Sequence, residues 1–382
     1  MASIGTSISR SHANDSKPDI VIIGGSLGGL FAGVAFKAHG LTRSPQFLLD
    51  NQGAGIVAGG DTIEFFKRYD RTGKLVAVPS HKRIYLDQKG DIIHEEVNRQ
   101  NMTSWDLFYY LLRANYDHVD SAFLQGGKLP EVRPSDGTQY AGYVVIRGTV
   151  PELEASDAAL EVFREGFCFF HAPGIQNLTY TIAGENGNTN TGHRLLNFVW
   201  YANFLEGDPA LEKLMTDQDG RRRHITIPPG KIAWDVWEML ESKAHDRLPP
   251  QMAEMARKTR TPSVQCITDV VSPQNLYLDD KVVLIGDSLA GFRPHTVAST
   301  SKAAFNVMSL VDWLDDKIDR SRFVTQAIEY ARLIQSRGVC IGNRSQFETL
   351  PVEEYIKDRN LMSTKRWEDT YPEWTRKGLE CV

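Results

Sequence analysis

The sequence predicts a mixed α/β fold in which α/β segments flank an antiparallel β-sheet region. Residues 20–23 form a short apolar, β-branched run that leads through glycines into a helical pattern, which is typical of a strand buried in a parallel sheet. Residues 139–204 contain aromatic and β-branched runs separated by glycine-rich turns, and this pattern predicts antiparallel strands. A second apolar run, at 282–285, ends at Gly286 and precedes a long helix. The apolar runs and the aromatic region together predict this fold class.

Composition and charge narrow the function. The chain has 382 residues, of which 41% are hydrophobic and 24% charged, as expected for a globular protein of one large or two closely associated domains. Its formal net charge of -5, with the short Arg221–Arg223 run as its basic cluster, disfavours a nucleic-acid partner. The first 18 residues are polar and serine-rich, which predicts a disordered leader rather than a secretory signal. Because the four cysteines form no C-x-x-C pair, no metal site is predicted, and a cytoplasmic location is expected.

The glycine-rich turn after residue 23 has the form of a pyrophosphate cradle. When the chain is aligned on a G-x-G-x-x-G pattern, Gly24 makes the tight turn, Ser26 takes the middle glycine position and Gly29 takes the last. The helix that follows directs its positive N-terminus towards this turn and ends at Gly40. The pattern therefore predicts a dinucleotide site. A glycine-rich turn without a ligand, as in any α/β protein, is the alternative.

The acid that accompanies such a cradle is not in its usual place. An Asp or Glu about 20 residues on would bind a ribose at the end of a second strand. Asp50 lies at a plausible distance, but Ser44 and Pro45 interrupt the segment before it. The sequence therefore predicts that this second strand is shortened or absent.

Two further helices are predicted from capping and periodicity. Thr103 as N-cap and Asp106 three residues later form a capping-box pattern ahead of a helix. Residues 231–258 return to a helical pattern with Trp234 and Trp237 as predicted core residues. Asp287, at the carboxyl end of the second apolar run, could accept hydrogen bonds from a ligand or cap a turn.

Several motifs together resemble one enzyme family. They are GGSLGGL, NQGAGIV, MTSWD, YAGYVVIRGTVPE, FVWYANF, TDQDGRRRHITIPPG, VVLIGDS and RPHTVASTSKAA. The chain resembles the FAD-dependent aromatic hydroxylases, which are group A flavoprotein monooxygenases, and most of all their 2,6-dihydroxypyridine 3-hydroxylase branch. This resemblance implies a glutathione-reductase-type, Rossmann-like FAD-binding domain with an antiparallel β-sheet substrate domain. It also implies FAD and NAD(P)H as cofactors, and O2 with a small electron-rich aromatic as substrates.

The resemblance implies roles for individual residues. Those implied to contact the cofactor are Gly24, Gly25, Ser26 and Gly29 at the pyrophosphate, Arg43, Gln100, Gly286, Asp287 and Pro294. His295 and Tyr201 are the candidate catalytic residues, for substrate contact or proton transfer. A structural role in the core is the alternative for both.

The chain also departs from the family pattern. The acid-arginine pair that closes the second strand reads Thr42-Arg43, and Gly126 runs almost directly into Gly127, where relatives have several strands. Ser299 stands where glycine is usual beside the flavin. Two functions therefore stay open, an active monooxygenase and a catalytically inactive remnant that acts as a binding protein. The substrate, the choice between NADH and NADPH, and a monomeric or homodimeric state also stay open.

The motifs predict a division of the chain into five parts. A leader occupies residues 1–18 and is followed by the first FAD-binding part at 19–138. The substrate-binding sheet then spans 139–262, and the second FAD-binding part spans 263–345. A C-terminal tail covers 346–382.

Overall fold

The computed structural model describes residues 20–40, 54–117, 139–348 and 351–360. The helices are α1 Leu27–Ala38, α2 Gly60–Tyr69, α3 Trp105–Asp117, α4 Asp157–Phe163, α5 Pro209–Leu214, α6 Trp234–Arg247, α7 Pro250–Lys258, α8 Ser299–Leu314, α9 Arg320–Phe347 and α10 Val352–Asn360. The strands are β1 Gly55–Val57, β2 Val78–Leu86, β3 Ile92–Ser104, β4 Gln139–Pro151, β5 Gly166–Ala172, β6 Ile175–Ile182, β7 Leu195–Asn203, β8 Thr226–Ile227, β9 Ser263–Val271, β10 Leu276–Tyr277, β11 Val282–Val283 and β12 Ala290–Gly291.

One large, mostly antiparallel sheet organises the described chain. Its strand order is β1-β3-β2-β5-β6-β7-β4-β9-β12, and β8 adds to β9. The centre is the pairing of β7 with β4 and β6, where Tyr201 lies between Val145 and Gln176. β2 and β5 pair in parallel, which joins the β2–β3 hairpin to this sheet. The aromatic and β-branched residues of 139–204 fit such a pleated surface, and the prediction of an antiparallel sheet is confirmed.

The two faces of the sheet bury different cores. Val144 and Ile146 of β4 belong to a core cluster that also takes in residues of α4, α5, α6 and α7. Tyr143 and Val145 alternate with them and belong to a second cluster, with residues of α9 and α10. Because successive residues of a strand point to opposite faces, the sheet separates a helix-covered side from a side that carries the candidate site.

A helical layer forms beside the second face. α1, α2, α3 and α8 share one core cluster, in which Phe31 contacts Phe65 edge to face at a centroid distance of 4.7 Å. Such aromatic pairs add to the free energy gained by burial. This layer contains the helices that follow both predicted glycine turns.

The two runs predicted as buried strands of a parallel sheet do not form them, and these predictions were wrong. Residues 20–25 have no strand pairing, and the side chains of Val21 and Ile23 are 83% and 91% exposed. Of 282–285, only Val282–Val283 is a strand, and it pairs antiparallel with β10. A strand needs a neighbour that accepts its backbone hydrogen bonds, and none of the described strands pairs with residues 20–25. The departures at Thr42-Arg43 and Gly126 lie outside the described residues.

Two local predictions also need correction. Ser104, not Thr103, caps α3, since its Oγ accepts a hydrogen bond from the Leu107 amide at 3.1 Å. The predicted helix at 231–258 is divided into α6 and α7, and Trp234 at its start is 74% exposed. Trp237 is buried as predicted. Trp234 and Trp237 are three residues apart and so fall on the same stripe of a helix. The periodicity alone therefore could not show that only Trp237 would be buried.

Within the described ranges, no helix is both long and apolar enough to cross a membrane. Across the same residues, no group of three or more His, Cys, Asp or Glu side chains could hold a metal ion. The predicted domain boundaries stay predictions. β9, which begins at Ser263, pairs with β4 of the predicted substrate sheet.

Candidate active site

The first predicted glycine turn brings two backbone segments into close contact. Gly24 has φ +106°, a conformation that favours glycine, and a Cβ added to Gly29 would lie 1.9 Å from the Gly24 carbonyl oxygen. No side chain can be accommodated at that distance. The start of α1 therefore approaches the preceding turn as closely as a pyrophosphate cradle requires.

Ser26 is the N-cap residue of α1, yet its side chain makes no capping hydrogen bond. The first turn of this helix contains no acidic residue. A helix N-terminus presents unpaired N–H groups and a partial positive charge, so this end of α1 suits an anion. The predicted cradle residues thus have the geometry that a pyrophosphate would need.

The second glycine turn meets the first. Gly286 begins a 3₁₀ turn at 286–288, and a Cβ added to it would lie 3.9 Å from the Cα of Gly28. The next residue, Asp287, has a side chain that is 78% exposed, with Oδ1 3.6 Å from Nζ of Lys302. The fold therefore brings together the two predicted cofactor-binding turns, although most of the chain separates them in sequence.

Lys302 lies beneath this second turn and is fully buried. Its ammonium lies 4.0 Å from the ring centroid of Phe292 and donates a hydrogen bond to the Ala290 carbonyl. Burial lowers the pKa of Lys302 to about 8, and the Asp287 carboxylate offsets only part of this effect. A buried cation is therefore fixed in α8 next to a predicted cofactor contact.

A cavity of about 330 Å³ opens between the sheet and these turns. This volume falls within the range of small-molecule sites. The sheet contributes an apolar and aromatic wall that includes Phe167, Phe169, Leu178 and Tyr201. The lining also contains Gly55–Val57, Asp287, Gly291, Phe292, Pro294, His295, Val297, Ser299 and Thr300.

His295 is fixed by a buried tyrosine. Its Nε2 lies 2.8 Å from the hydroxyl oxygen of Tyr143, which Arg293 also contacts. Burial raises the pKa of the Tyr143 hydroxyl well above its usual range, and the Arg293 charge offsets only part of that rise. The Tyr143 hydroxyl can donate to Nε2 or accept from Nε2–H, according to the tautomer of His295, and in the second tautomer Nδ1 is left free to accept a proton.

Helix α9 packs against Tyr143, Arg293 and His295. A Cβ on Gly342 would lie 2.6 Å from the Tyr143 hydroxyl oxygen and 3.1 Å from Cδ2 of His295. Arg293 donates to Asp269 at 2.7 Å and to Asn343 at 2.7 Å. These contacts fix the segment before His295 between β9 and α9.

The structure brings several predicted site residues to one place. Tyr201, Asp287, Pro294 and His295 line the cavity, and the rings of Tyr201 and His295 are 4.8 Å apart. Gln100 is buried in β3, donates to Asn98 at 2.8 Å, and is not one of the lining residues.

The remaining predicted cofactor contacts lie at or near the two turns. Gly24, Gly25, Ser26 and Gly29 form the first turn and the start of α1, outside the cavity wall. Gly286 directly precedes Asp287. Arg43 lies outside the described residues. The binding and catalytic roles of all these residues stay predictions.

Sequence reasoning missed three residues of the site, which are Tyr143, Arg147 and Lys302. A signal existed for two of them. Tyr143, Val145 and Arg147 lie two residues apart along β4, so a charged residue shares a strand face with an aromatic and an apolar one. For Lys302, the helical pattern of α8 gave no warning that a lysine would be fully buried.

Comparison with known proteins finds similarity to FAD-binding proteins. A family model described as FAD binding domain-like matches residues 140–269. A 2,6-dihydroxypyridine 3-monooxygenase of Paenarthrobacter nicotinovorans is 25% identical over 332 residues, which cover 77% of this chain and 82% of that protein.

Solved structures agree. The 2,6-dihydroxypyridine-3-hydroxylase of Arthrobacter nicotinovorans superposes with a TM-score of 0.75 at 22% identity, covering 88% of this chain and 94% of that one. The chain has the fold of the FAD-dependent hydroxylases. HpxO of Klebsiella pneumoniae, solved with FAD and uric acid, has a TM-score of 0.62 at 14% identity, covering 94% of this chain and 96% of its own. A salicylate hydroxylase solved with substrate has a TM-score of 0.60 at 13% identity, covering 95% and 96%.

These similarities confirm the predicted resemblance, the predicted fold class and the prediction of an oxidoreductase. They also agree with FAD as the predicted kind of cofactor.

Proposed function

We propose that this protein is an FAD-dependent monooxygenase that uses NAD(P)H and O2 to hydroxylate an electron-rich aromatic ring. The observation that carries the proposal is the cavity at Asp287, which separates two convergent glycine turns from an aromatic sheet face with a fixed histidine. One side suits a dinucleotide, and the other suits a flat aromatic substrate. The similarity to flavin hydroxylases supports this assignment.

In this proposal the cofactor is held at the two turns. Gly24, Gly25, Ser26 and the N-terminus of α1 would bind the pyrophosphate, and Asp287 would accept hydrogen bonds from the ribityl hydroxyls. When bound, FAD supplies hydride acceptance from NAD(P)H and the activation of O2 that no side chain provides. The protein contributes binding, orientation and exclusion of water.

His295 and Tyr201 act on the substrate. Removal of a proton from a ring hydroxyl makes the ring more electron-rich, and a positioned histidine can hold that proton. The neighbouring Tyr143 orients the imidazole through the 2.8 Å contact to Nε2. Tyr201 of β7, whose ring is tilted by 40° against that of His295 at a centroid distance of 4.8 Å, orients the substrate ring.

The first test is a visible absorbance spectrum of the purified protein before and after addition of FAD and removal of excess cofactor. Bound-flavin bands support the proposal, and NAD(P)H oxidation with phenols and hydroxypyridines then tests for hydroxylated product. A protein that stays colourless contradicts it. Asp287→Ala should lower the flavin occupancy, and unchanged occupancy would argue against the role of that carboxylate.

His295 has its own test. His295→Ala should slow product formation more than it slows NAD(P)H oxidation without substrate, because the proposed role concerns the substrate proton. Equal slowing of both rates would remove His295 from the hydroxylation step. His193 is a suitable control because it lies away from the residues that line the cavity.

A second candidate function is an inactive remnant that binds ligands. The observation that favours it is the exposure of Val21 and Ile23, which are apolar residues of a run that would normally be buried in the sheet behind the cradle. The spectrum separates the two functions. A remnant would bind aromatic ligands without holding FAD or oxidising NAD(P)H.

A further inference from the structure

Arg147 is half-buried and lies close enough to Tyr180 for its charge to act on the Tyr180 hydroxyl. It lies on β4 opposite Val199 of β7, and its side chain lines the cavity. Its Nε is buried and donates to no described acceptor.

A buried charged donor without an acceptor is costly to the folded state. Among the lining residues, Phe167, Val199 and Leu178 are apolar, and none of the polar ones accepts a hydrogen bond from Nε of Arg147. The acid among the lining residues, Asp287, lies 3.6 Å from the Lys302 ammonium. An anion that enters the cavity would satisfy Arg147.

A second unpaired polar atom lies in the same wall. Gln176 is 1% exposed and donates through Nε2 to the Tyr355 hydroxyl at 2.6 Å, but its Oε1 has no partner among the described residues. Gln176 is on β6, which is separated from β4 by β7. The cavity thus offers a cationic donor and a neutral acceptor on one sheet face.

We propose that Arg147 binds a carboxylate on the aromatic substrate, so that the site selects aromatic carboxylates over neutral aromatics. The Nε and Nη atoms of one guanidinium edge match the two oxygens of a carboxylate. Gln176 accepts a hydrogen bond from a hydroxyl or ring N–H of the same molecule. The proposal rests on the proposed function for the reaction, but it concerns binding only.

Matched ligand pairs test the charge directly. Isothermal titration calorimetry compares salicylate with salicylamide, and 4-hydroxybenzoate with 4-hydroxybenzamide, on the protein with and without added FAD. In each pair the shape is nearly equal and the charge differs. We expect at least one carboxylate to bind about tenfold or more tightly than its amide, as a charge-assisted hydrogen bond pair allows.

Variants test whether Arg147 causes the preference for carboxylates over amides. Arg147→Met should abolish it by weakening the carboxylate about 10- to 100-fold, with little change for the amide. Arg147→Lys keeps the charge but not the flat edge, so it should retain part of the preference and serves as the variant of choice if the methionine variant unfolds. Arg99→Met removes an exposed positive charge from β3 and should leave both affinities unchanged.

The outcomes separate the two proposals. Carboxylate binding that depends on Arg147, in a protein that never holds FAD, would support this inference and contradict the monooxygenase. A flavin-loaded enzyme that hydroxylates neutral phenols and binds amides as tightly as carboxylates would overturn this inference alone. Binding of neither ligand in either pair would also overturn it, as would a carboxylate preference unchanged in Arg147→Met.

Discussion

At the scale of the residue, Gly29 is the most constrained position of the predicted cradle. A methyl group there would lie 1.9 Å from the Gly24 carbonyl oxygen, and this contact is with backbone, which cannot rotate away. We expect Gly29→Ala to destabilise the fold by about 1–3 kcal/mol through overpacking and to lower the FAD occupancy. Urea unfolding and flavin absorbance measure the two effects.

The adjacent glycine is a matched control for this prediction. A Cβ at Gly28 would meet nothing within 4 Å, so Gly28→Ala should leave the stability close to that of the unmodified protein. A glycine within a helix that tolerates alanine gains helix propensity. If both variants lost flavin equally, the close approach at Gly29 would not be the reason for its place in the motif.

The burial of Lys302 predicts that the free energy of unfolding depends on pH at alkaline pH. Its pKa is lowered to about 8 in the folded protein against 10.5 as its ordinary value, so between these pH values the unfolded chain binds more protons than the folded one. The contribution of Lys302 to the free energy of unfolding therefore rises as pH increases through this window. Below about pH 8 the buried group is charged in both states, and its desolvation cost is then fully present.

Substitution isolates this contribution from other groups that titrate at alkaline pH. The difference in unfolding free energy between Lys302→Met and the unmodified protein should change between pH 8 and pH 10 in the direction that favours the unmodified protein. Urea unfolding at three pH values measures it, with the exposed Lys281→Met as control. A difference that stays constant across the window would place the charge of Lys302 in a hydrated environment.

At the scale of the element, two neighbouring isoleucines in the segment before α1 have different environments. Ile22 packs against the cluster of α1 and α8, whereas Ile23 is 91% exposed. We expect Ile23→Thr to change stability by less than about 0.5 kcal/mol and Ile22→Thr to cost clearly more. Chemical denaturation of both variants is the measurement. Equal, large costs would mean that residues 20–23 are a buried strand after all.

The sheet and the cradle were predictable to different degrees, for a physical reason. The strands of 139–204 contain their own partners nearby in sequence, so alternation and turns were enough to predict them. The run at 20–23 has the composition of a buried strand, but it becomes one only if another segment pairs with it, and composition does not show which segments are near. The same limit applied to residues 282–285.

The residues of the candidate site also fall into those that could be predicted from the sequence and those that could not. Gly24, Gly29 and Asp287 could be predicted as site residues because each belongs to a local motif that follows an apolar run, and the structure brings the two turns together. His295 and Tyr201 came from the family resemblance. Arg147 and Lys302 were missed because their significance depends on burial and on missing partners, which are properties of the folded molecule.

At the scale of the whole molecule, the two glycine turns belong to segments that most of the chain separates. Gly28 and Gly286 meet where the shared core of α1 and α8 ends. A ligand that bridges both turns binds the folded chain and not the unfolded one, so its binding free energy adds to the stability of the entire fold.

FAD should therefore raise the thermal midpoint of the whole protein. At a concentration 100 times its Kd, a ligand of the folded state adds about 2.7 kcal/mol to the free energy of unfolding. Riboflavin, which lacks the pyrophosphate, should give a much smaller shift because it cannot use the N-terminus of α1. Differential scanning calorimetry with each ligand measures this difference.

The Gly29→Ala variant tests whether the stabilisation by FAD depends on the glycine turn at residues 24–29. If it does, FAD should shift the unmodified protein far more than the variant, and the two should respond alike to riboflavin. An equal response to FAD in both would mean that the dinucleotide part lies elsewhere. If neither ligand shifts the thermal midpoint, the result would favour the inactive remnant. In that case the glycine turn would have kept its geometry but lost its affinity for FAD, because residues 20–23 do not form the strand that normally supports it.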